Sequence, residues 1–563
     1  MEAVAPEVKP VAGSEAYHLQ RKVGLNALTM ISLGSIIGSG WLLGAITAAK
    51  SAGGASILSW MMAGLVLALL ALVHAELGST YPVSGGTARF PFMIFGALGG
   101  FAGGWMAWIQ AVTIAPIEVE ATLGYLNSRF PGMDLVKANG TLTGNGLLLG
   151  AGFMLLFAAI NTMGVRWLAE TNTIAVYWKI LIPTITIFAL LFSVFHSSNF
   201  TAGGGFAPYG FHGIFAALPL GVVFALEGFE QAIQVGGEAE NPQRNIPLAV
   251  IGSMIIGTII YLLLQVTFIG ALNPADLVHG WQEPIKGVGA YGPYATLATS
   301  AGLGWLSTLL IIDAVVSPAG TGLVYVGTSS RLSYGLGRNG YFPRVISRIS
   351  SRGVPFVSIV VAFVIGMVVF LPFPSWSGLV GLVTSATVIM YAMAPVSLAG
   401  LRQRDGDRPR PFRLPLAAVL CPLSFACANC IVYFAGWSTI FWLYVFVALG
   451  FVLFGVYQAT LPSGARTIID WRAASWIVPW LVGVGIISWQ GQYDGSPPTV
   501  FGITLTSTKN IPSWWDLLIV AAFSMVIFFW AVAVGMPRDK VQAAVNDVEM
   551  EASVDLETPL AVA

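Results

Sequence analysis

The chain has 563 residues, of which 56% are hydrophobic and only 9% charged, and its mean hydropathy is +0.78. That composition excludes an ordinary soluble domain and points to a polytopic all-α membrane protein, with lipid bilayer as its surroundings. The formal net charge is zero, which gives no reason to expect nucleic acid as a partner, so the placement of the charges matters more than their sum.

In chain order, residues 1–22 are polar, lack the apolar core of a cleavable signal peptide and read as a cytoplasmic tail. Apolar runs then centre near Ile37, Leu67, Ala111, Leu155, Ile185, Phe224, Ile259, Val315, Val364, Ile389, Ala426, Phe451, Pro479 and Val526. Each is long enough to cross a bilayer, although the thirteenth is short, which makes about fourteen transmembrane helices. With the amino terminus inside, twenty of the 26 Lys and Arg residues fall on the cytoplasmic side, Arg89, Arg244, Arg331 and Arg402 among them. Lys50, Arg129, Lys137, Lys286 and Lys509 fall outside, and Lys179 lies within a span. This asymmetry predicts a multi-pass protein of the cell membrane with both termini in the cytoplasm. The expected organisation is a tail over 1–22, a ten-helix core over 23–400, four accessory helices over 401–536 and a mobile cytoplasmic tail over 537–563. Cys421, Cys427 and Cys430 share one apolar segment and read as packing residues.

The first and sixth spans contradict their surroundings. Gly34-Ser35-Ile36-Ile37-Gly38-Ser39-Gly40 sits at the centre of the apolar stretch from Leu25 to Ala49, and Ala225-Leu226-Glu227-Gly228-Phe229-Glu230 lies past the middle of Phe211 to Val235. Irregular backbone at membrane depth persists only where protein, water or a solute satisfies its polar groups. Gly34-x-x-x-Gly38 and Gly40-x-x-x-Gly44 also suit close helix packing. Packing, however, gives no role to Glu227 and Glu230. Two interrupted helices five apart predict a 5+5 inverted repeat with a solute site between them, helices 1 and 6 being the broken ones.

The amides of Ser39, Gly40 and Trp41 open the second half of helix 1 and suit a carboxylate. The carbonyls of Ser35, Ile36, Phe224 and Ala225 close the first halves and suit an ammonium group. Together they match the zwitterionic head of an α-amino acid. The expected substrate site is therefore Ser35, Ile36, Ile37, Gly38, Ser39, Gly40, Trp41, Phe224, Ala225, Leu226 and Gly228, with Trp108, Gln110 and Thr113 as candidates to line a side-chain pocket.

Gly38-Ser39-Gly40 and Phe224-Ala225-Leu226-Glu227-Gly228-Phe229-Glu230 resemble the amino acid-polyamine-organocation (APC) family of permeases. So do Ala75-Glu76-Leu77-Gly78 with Pro82-Val83-Ser84-Gly85-Gly86, the stretch from Glu238 to Pro247, and Arg331-Leu332-Ser333-Tyr334 with Arg338-Asn339-Gly340-Tyr341-Phe342-Pro343. The likeness covers about residues 22 to 400. Within the family, Ile117-Glu118-Val119-Glu120-Ala121 and the helix 1 wording resemble bacterial aspartate:proton symporters. Fourteen spans depart from the family's common twelve. The resemblance implies the LeuT-like form of the inverted repeat and secondary active amino-acid transport by alternating access. In proton-coupled members a helix 5 lysine stands where others bind sodium, and Trp178-Lys179-Ile180-Leu181-Ile182-Pro183 is similar to that segment. The resemblance thus implies proton-coupled symport into the cell, the proton being the coupling ion, with no cofactor and an acidic, aspartate-like substrate.

Lys179, Glu118, Glu227, Glu230 and Asp313 are the expected coupling and gating charges. Asp313 is ten residues into its helix, about 15 Å deep. Glu118 and Glu120 point to nearly opposite sides, and Glu120 is expected to reach the outer interface. An acidic substrate would be repelled by a core richer in acids than in Lys unless some acids are protonated, which keeps neutral and cationic amino acids in view. An exchanger, a uniporter or an amino-acid-sensing receptor on the same fold are the alternatives. The five histidines, His18, His74, His196, His212 and His279, show no metal-ligand spacing, and Gly203-Gly204-Gly205 has no following lysine, so no metal site and no enzyme activity is expected.

Overall fold

The computed structural model describes residues 23–163, 165–348, 350, 354–370, 375–494, 497–500 and 503–557. The tail over 1–22 lies outside the described residues. The fold is almost wholly helical, with one small hairpin of Thr499–Val500 and Ile503–Thr504. Among the described residues, eleven helical stretches are long and apolar enough to cross a membrane. Leu25–Ile36, Gly210–Leu226 and Phe356–Val369 are shorter apolar helices.

Helix α1 (Leu25–Ile36) ends because Ile37 leaves the helical region, and α2 (Gly40–Ala52) begins after Ser39. A short turn leads into α3 (Ser56–Thr80). Helix α4 (Gly86–Arg129) bends at Gly96, whose φ of 67° suits glycine. Next come α5 (Gly144–Thr162) and α6 (Val165–Ser193), with Lys179 near the middle of α6. The following apolar segment is interrupted: α7 (Gly210–Ala216), a π turn over Leu218–Val222, α8 (Val223–Leu226), extended Glu227, Gly228 at φ 122°, then α9 (Gln231–Gln234).

After α10 (Pro242–Ala271) and α11 (Pro293–Ser300) run α12 (Gly304–Arg338), α13 (Phe356–Val369) and α14 (Trp376–Arg404). Helix α4 packs against α12 and α14, and α10 packs against α3 and α1. The two interrupted segments meet between these groups, α2 lying against α8 and the π turn.

Helices α15 (Ala417–Phe434) and α16 (Gly436–Thr460) pack on α14, and α15 also touches α3. Short α17 (Trp471–Ala474) precedes α18 (Ile477–Gln490) and α19 (Trp515–Val534). Asn429 of α15 joins these last two, donating to Ser524 Oγ at 2.9 Å and accepting from Trp480 Nε1 at 2.9 Å. Such bonds act as polar glue where apolar burial between helices contributes little.

Residues 538–557 correct the expectation of a mobile tail. They form α20 (Arg538–Glu557), which packs against α4 and α14. Val541, Ala544, Val545 and Val548 are buried, a spacing that makes one apolar stripe of a helix. Charges fasten it: Arg89 to Glu551 at 2.6 Å, Lys540 to Asp470 at 2.9 Å, Arg408 to Glu549 and Arg538 to Asp407. The reading by overall polarity missed this stripe.

Nearby, Glu76 of α3 is fully buried and saturated with donors. Arg402 Nε reaches it at 2.8 Å, Arg410 Nη1 at 3.2 Å and the Leu414 amide at 2.7 Å, with Arg402 Nη2 closing the pair. Removing one member of such a cluster leaves uncompensated buried charge, at a cost of about 3–5 kcal/mol. Glu76→Gln is therefore expected to lower the thermal unfolding midpoint of the detergent-purified protein clearly. An unchanged midpoint would show that the cluster is not stabilising the fold.

Candidate functional site

The gap between α1 and α2 is bridged by two titratable side chains from other helices. Glu118 of α4 accepts the Ser39 amide at Oε2 (2.7 Å) and the Ser39 hydroxyl at Oε1 (3.1 Å). A carboxylate at the start of α2 is where helix geometry favours one. Lys179 of α6 donates to the Gly34 carbonyl at 2.9 Å and to Thr321 Oγ1 of α12 at 2.6 Å, and the residue is wholly buried. It thereby fills a carbonyl that the end of α1 leaves open. Its electrostatic partners include Glu118 and Asp313. Tyr261 of α10 donates to the Ile36 carbonyl at 2.8 Å, and Trp376 of α14 to Ser39 Oγ at 3.1 Å.

Close approach explains the glycines. A Cβ on Gly38 would stand 2.7 Å from Glu118 Oε1 and 3.1 Å from Thr321 Oγ1. On Gly40 it would stand 2.7 Å from Cα and Cβ of Ala225, and on Gly228 2.8 Å from the Ile36 nitrogen. The two interrupted segments therefore touch backbone to backbone.

Between them lies a cavity lined by Ser35, Ile36, Gly38, Gly40, Ile114, Glu118, Phe224, Glu227, Thr321 and Tyr325. Seven of these ten are residues that the sequence singles out as site or coupling candidates. Ile114, Thr321 and Tyr325 were missed: an apolar residue and two ordinary polar ones on long helices carry no spacing signal. The family model described as amino acid permease matches residues 23–486.

The chain belongs to the amino acid permease family. It is similar to the glutamate/serine transporter AimA of Bacillus subtilis (strain 168), 35% identical over 537 residues, which are 93% of this chain and 96% of that one. The aspartate-proton symporter of the same organism is 36% identical over 527 residues, covering 93% and 98%. The branched-chain amino acid permease BcaP, also from that organism, is 26% identical over 454 residues, covering 78% and 93%. This amino acid permease is thus a multi-pass membrane transporter and not an enzyme.

Apart from Ile36 and the other lining residues, the expected residues of the permease lie around the cavity. Ser39 has its amide and hydroxyl committed to Glu118, and Ile36 has its carbonyl committed to Tyr261, so those polar groups already have partners within the protein. Ile37, Ala225 and Leu226 are buried packing residues, and the Trp41 ring packs on Tyr294 with centroids 5.6 Å apart. Glu230 is enclosed by its own donors: the Gly228 amide at 3.0 Å, Gln110 at 3.1 Å, Gln231 at 3.2 Å and the Tyr391 hydroxyl. Asp313 accepts from Trp178 Nε1 at 2.8 Å and Ser317 Oγ at 2.6 Å. Trp108 donates to Ser333 at 2.6 Å and Thr113 to its own helix. Glu120 corrects an expectation: it does not reach an outer interface but is buried, with neither oxygen hydrogen-bonded among the described residues.

Gly40 offers the sharpest steric test. A valine there would drive its side chain into Ala225, and overpacking of this kind costs about 1–3 kcal/mol. Gly40→Val is expected to abolish amino-acid binding to the purified, folded permease while expression persists. Unchanged affinity would remove this contact from the site.

Proposed function

We propose that this permease is a proton-coupled symporter that brings an amino acid, of acidic aspartate-like type, into the cell by alternating access. The single observation that carries the reading is Lys179: a buried ammonium that ties the end of α1 to α12 through Gly34 and Thr321. An ammonium so placed costs much unless it is paired and hydrogen-bonded, so its protonation is linked to the position of α1. In the proposed cycle the proton on Lys179 holds α1 against α12, and its loss to one side releases the Gly34 carbonyl. Glu118, held by Ser39 and acting electrostatically on Lys179, is a partner in that exchange.

The names of two relatives, a glutamate/serine transporter and an aspartate-proton symporter, support an acidic substrate and proton coupling. On this reading α1 with α2, and α7 to α9, are the two broken helices of a 5+5 inverted repeat within fourteen spans, and α15, α16, α18 and α19 are accessory spans. Both termini face the cytoplasm. The substrate head group binds the backbone around Gly38, Gly40 and Phe224, with the Gly40 and Trp41 amides, which have no partner one turn back within α2, available to its carboxylate.

Lys179→Met gives a neutral side chain of similar length that cannot bind a proton. In proteoliposomes the variant is expected to lose accumulation driven by a proton gradient, with downhill exchange surviving. Accumulation with unaltered pH dependence would transfer the role to another group.

Alternating access has its own test at Ser35, which lines the cavity beside the break. A single cysteine at that position, with Cys421, Cys427 and Cys430 replaced, is expected to label from the cytoplasmic side, at a rate that saturating substrate changes. A ligand that binds two conformations unequally must shift their populations. Labelling from both sides at once with non-saturating flux would mean a pore.

A further inference from the structure

Three carboxyl groups surround the two interruptions, and they are not equivalent. Glu118 has both oxygens occupied by Ser39. Glu230 accepts from Gly228, Gln110, Gln231 and Tyr391. Glu227 lies on the same cavity wall as Ser35, Gly38 and Phe224, is 3% exposed, and has neither carboxyl oxygen hydrogen-bonded among the described residues. The hydroxyl of Thr387 stands beside the Glu227 carboxyl, but its hydrogen goes to the Val383 carbonyl at 2.9 Å. The backbone of Glu227 is spoken for as well: it is extended, and its amide closes α8 onto Val223 at 3.1 Å. What is left over is a side chain.

A buried polar group without a partner costs enough that most proteins avoid it, and the exceptions call for a reason. A carboxylate with no cation beside it, and a neighbouring hydroxyl already bonded elsewhere, is the costlier form to bury, whereas the carboxylic acid keeps an O–H to donate. The titratable groups around it are Glu230 on its own segment, Glu118 on α4, Tyr325 on α12 and Tyr391 on α14, whose ring packs on His74 of α3, with Lys179 beyond Thr321 and already bonded. The ammonium of Lys179 is committed to Gly34 and Thr321, and the other acids have their own donors.

We propose that Glu227 is the specificity-determining residue of the cavity: as a carboxylic acid it donates a hydrogen bond to an oxygen acceptor on the substrate's side chain, a carboxylate or a hydroxyl. This rests on the reading of the cavity as the amino-acid site. It also removes the electrostatic objection to an acidic substrate, because a carboxylic acid facing a carboxylate forms a charge-assisted hydrogen bond where two carboxylates would repel. The proton stays on a Glu227 oxygen throughout, and no covalent bond of the substrate changes. A methyl side chain leaves Glu227 without its partner, and a cationic one would require it to ionise.

The experiment compares wild type, Glu227→Leu and Glu227→Gln in proteoliposomes, using radiolabelled L-aspartate, L-serine, L-alanine and L-lysine from acidic to neutral pH. Loss of a hydrogen bond to a charged or hydroxyl group predicts that Glu227→Leu weakens aspartate and serine relative to alanine by about tenfold or more. Glu227→Gln, which keeps an N–H donor, is expected to recover most of the aspartate affinity. An unchanged aspartate-to-alanine ratio in Glu227→Leu overturns the proposal. So does a preference of the wild-type protein for lysine over aspartate. If Glu227→Leu binds no amino acid at all, the Gln variant decides: loss of aspartate with alanine retained also overturns it. Wild type that takes up none of the four amino acids defeats the transport reading itself, which is a different failure.

Discussion

The structure depends on one constraint: a helix interrupted inside an apolar bundle exposes backbone amides and carbonyls that the bundle must satisfy. At the α1–α2 gap the Gly34 carbonyl receives Lys179, the Ile36 carbonyl receives Tyr261, and the Ser39 amide is received by Glu118. These partners come from α6, α10 and α4, so the gap is a joint between helices and not a local defect. Each partner is itself a polar group that would be costly to bury elsewhere. The break and the charges therefore need each other, and neither is stable in this core without the other.

The second interruption solves the same problem differently. There Gly228 donates its amide to Glu230, and Gln110, Gln231 and Tyr391 surround the same carboxyl. The network gathers its members from α4, α9 and α14 and holds the extended stretch after α8. The two interruptions then approach so closely at Gly40 and Ala225, and at Gly228 and Ile36, that a methyl group would not fit. Side chains build each joint, and the absence of side chains lets the joints meet.

Much of this was legible in the chain because glycine, serine and glutamate in the middle of apolar runs are chemically out of place. Residues 34–40 and 225–230 stand out on that ground, and the interruptions of α1–α2 and α8–α9 fall there. The partners were less legible, since contact distance has no trace in spacing: Glu118 lies 79 positions from Ser39, and Lys179 lies 145 from Gly34. Thus the open amides expected at Ser39, Gly40 and Trp41 turned out to include one already capped from within. Thr321 and Tyr325 of α12 look like any polar residues of a long helix. Helix α20 is a different kind of miss, for Val541, Ala544, Val545 and Val548 were there to be read at helical spacing beneath a polar average.

The placement of Lys179 and Glu118 on the two sides of the gap bears on how a carrier of this shape would couple two solutes. Lys179 grips the last turn of α1 and Glu118 the residue just before α2, so any motion that separates these halves from α4, α6 and α12 must break hydrogen bonds to both side chains. Breaking a bond to a buried charge without replacing it is expensive. Under the proposed mechanism the replacement is supplied by a proton, by water entering from one face, or by the head group of the substrate. Because the same few polar groups would answer to all three, occupancy of the cavity and protonation of its wall could not be independent. Thermodynamic linkage makes that dependence reciprocal: whatever the proton does to substrate affinity, the substrate does to proton affinity.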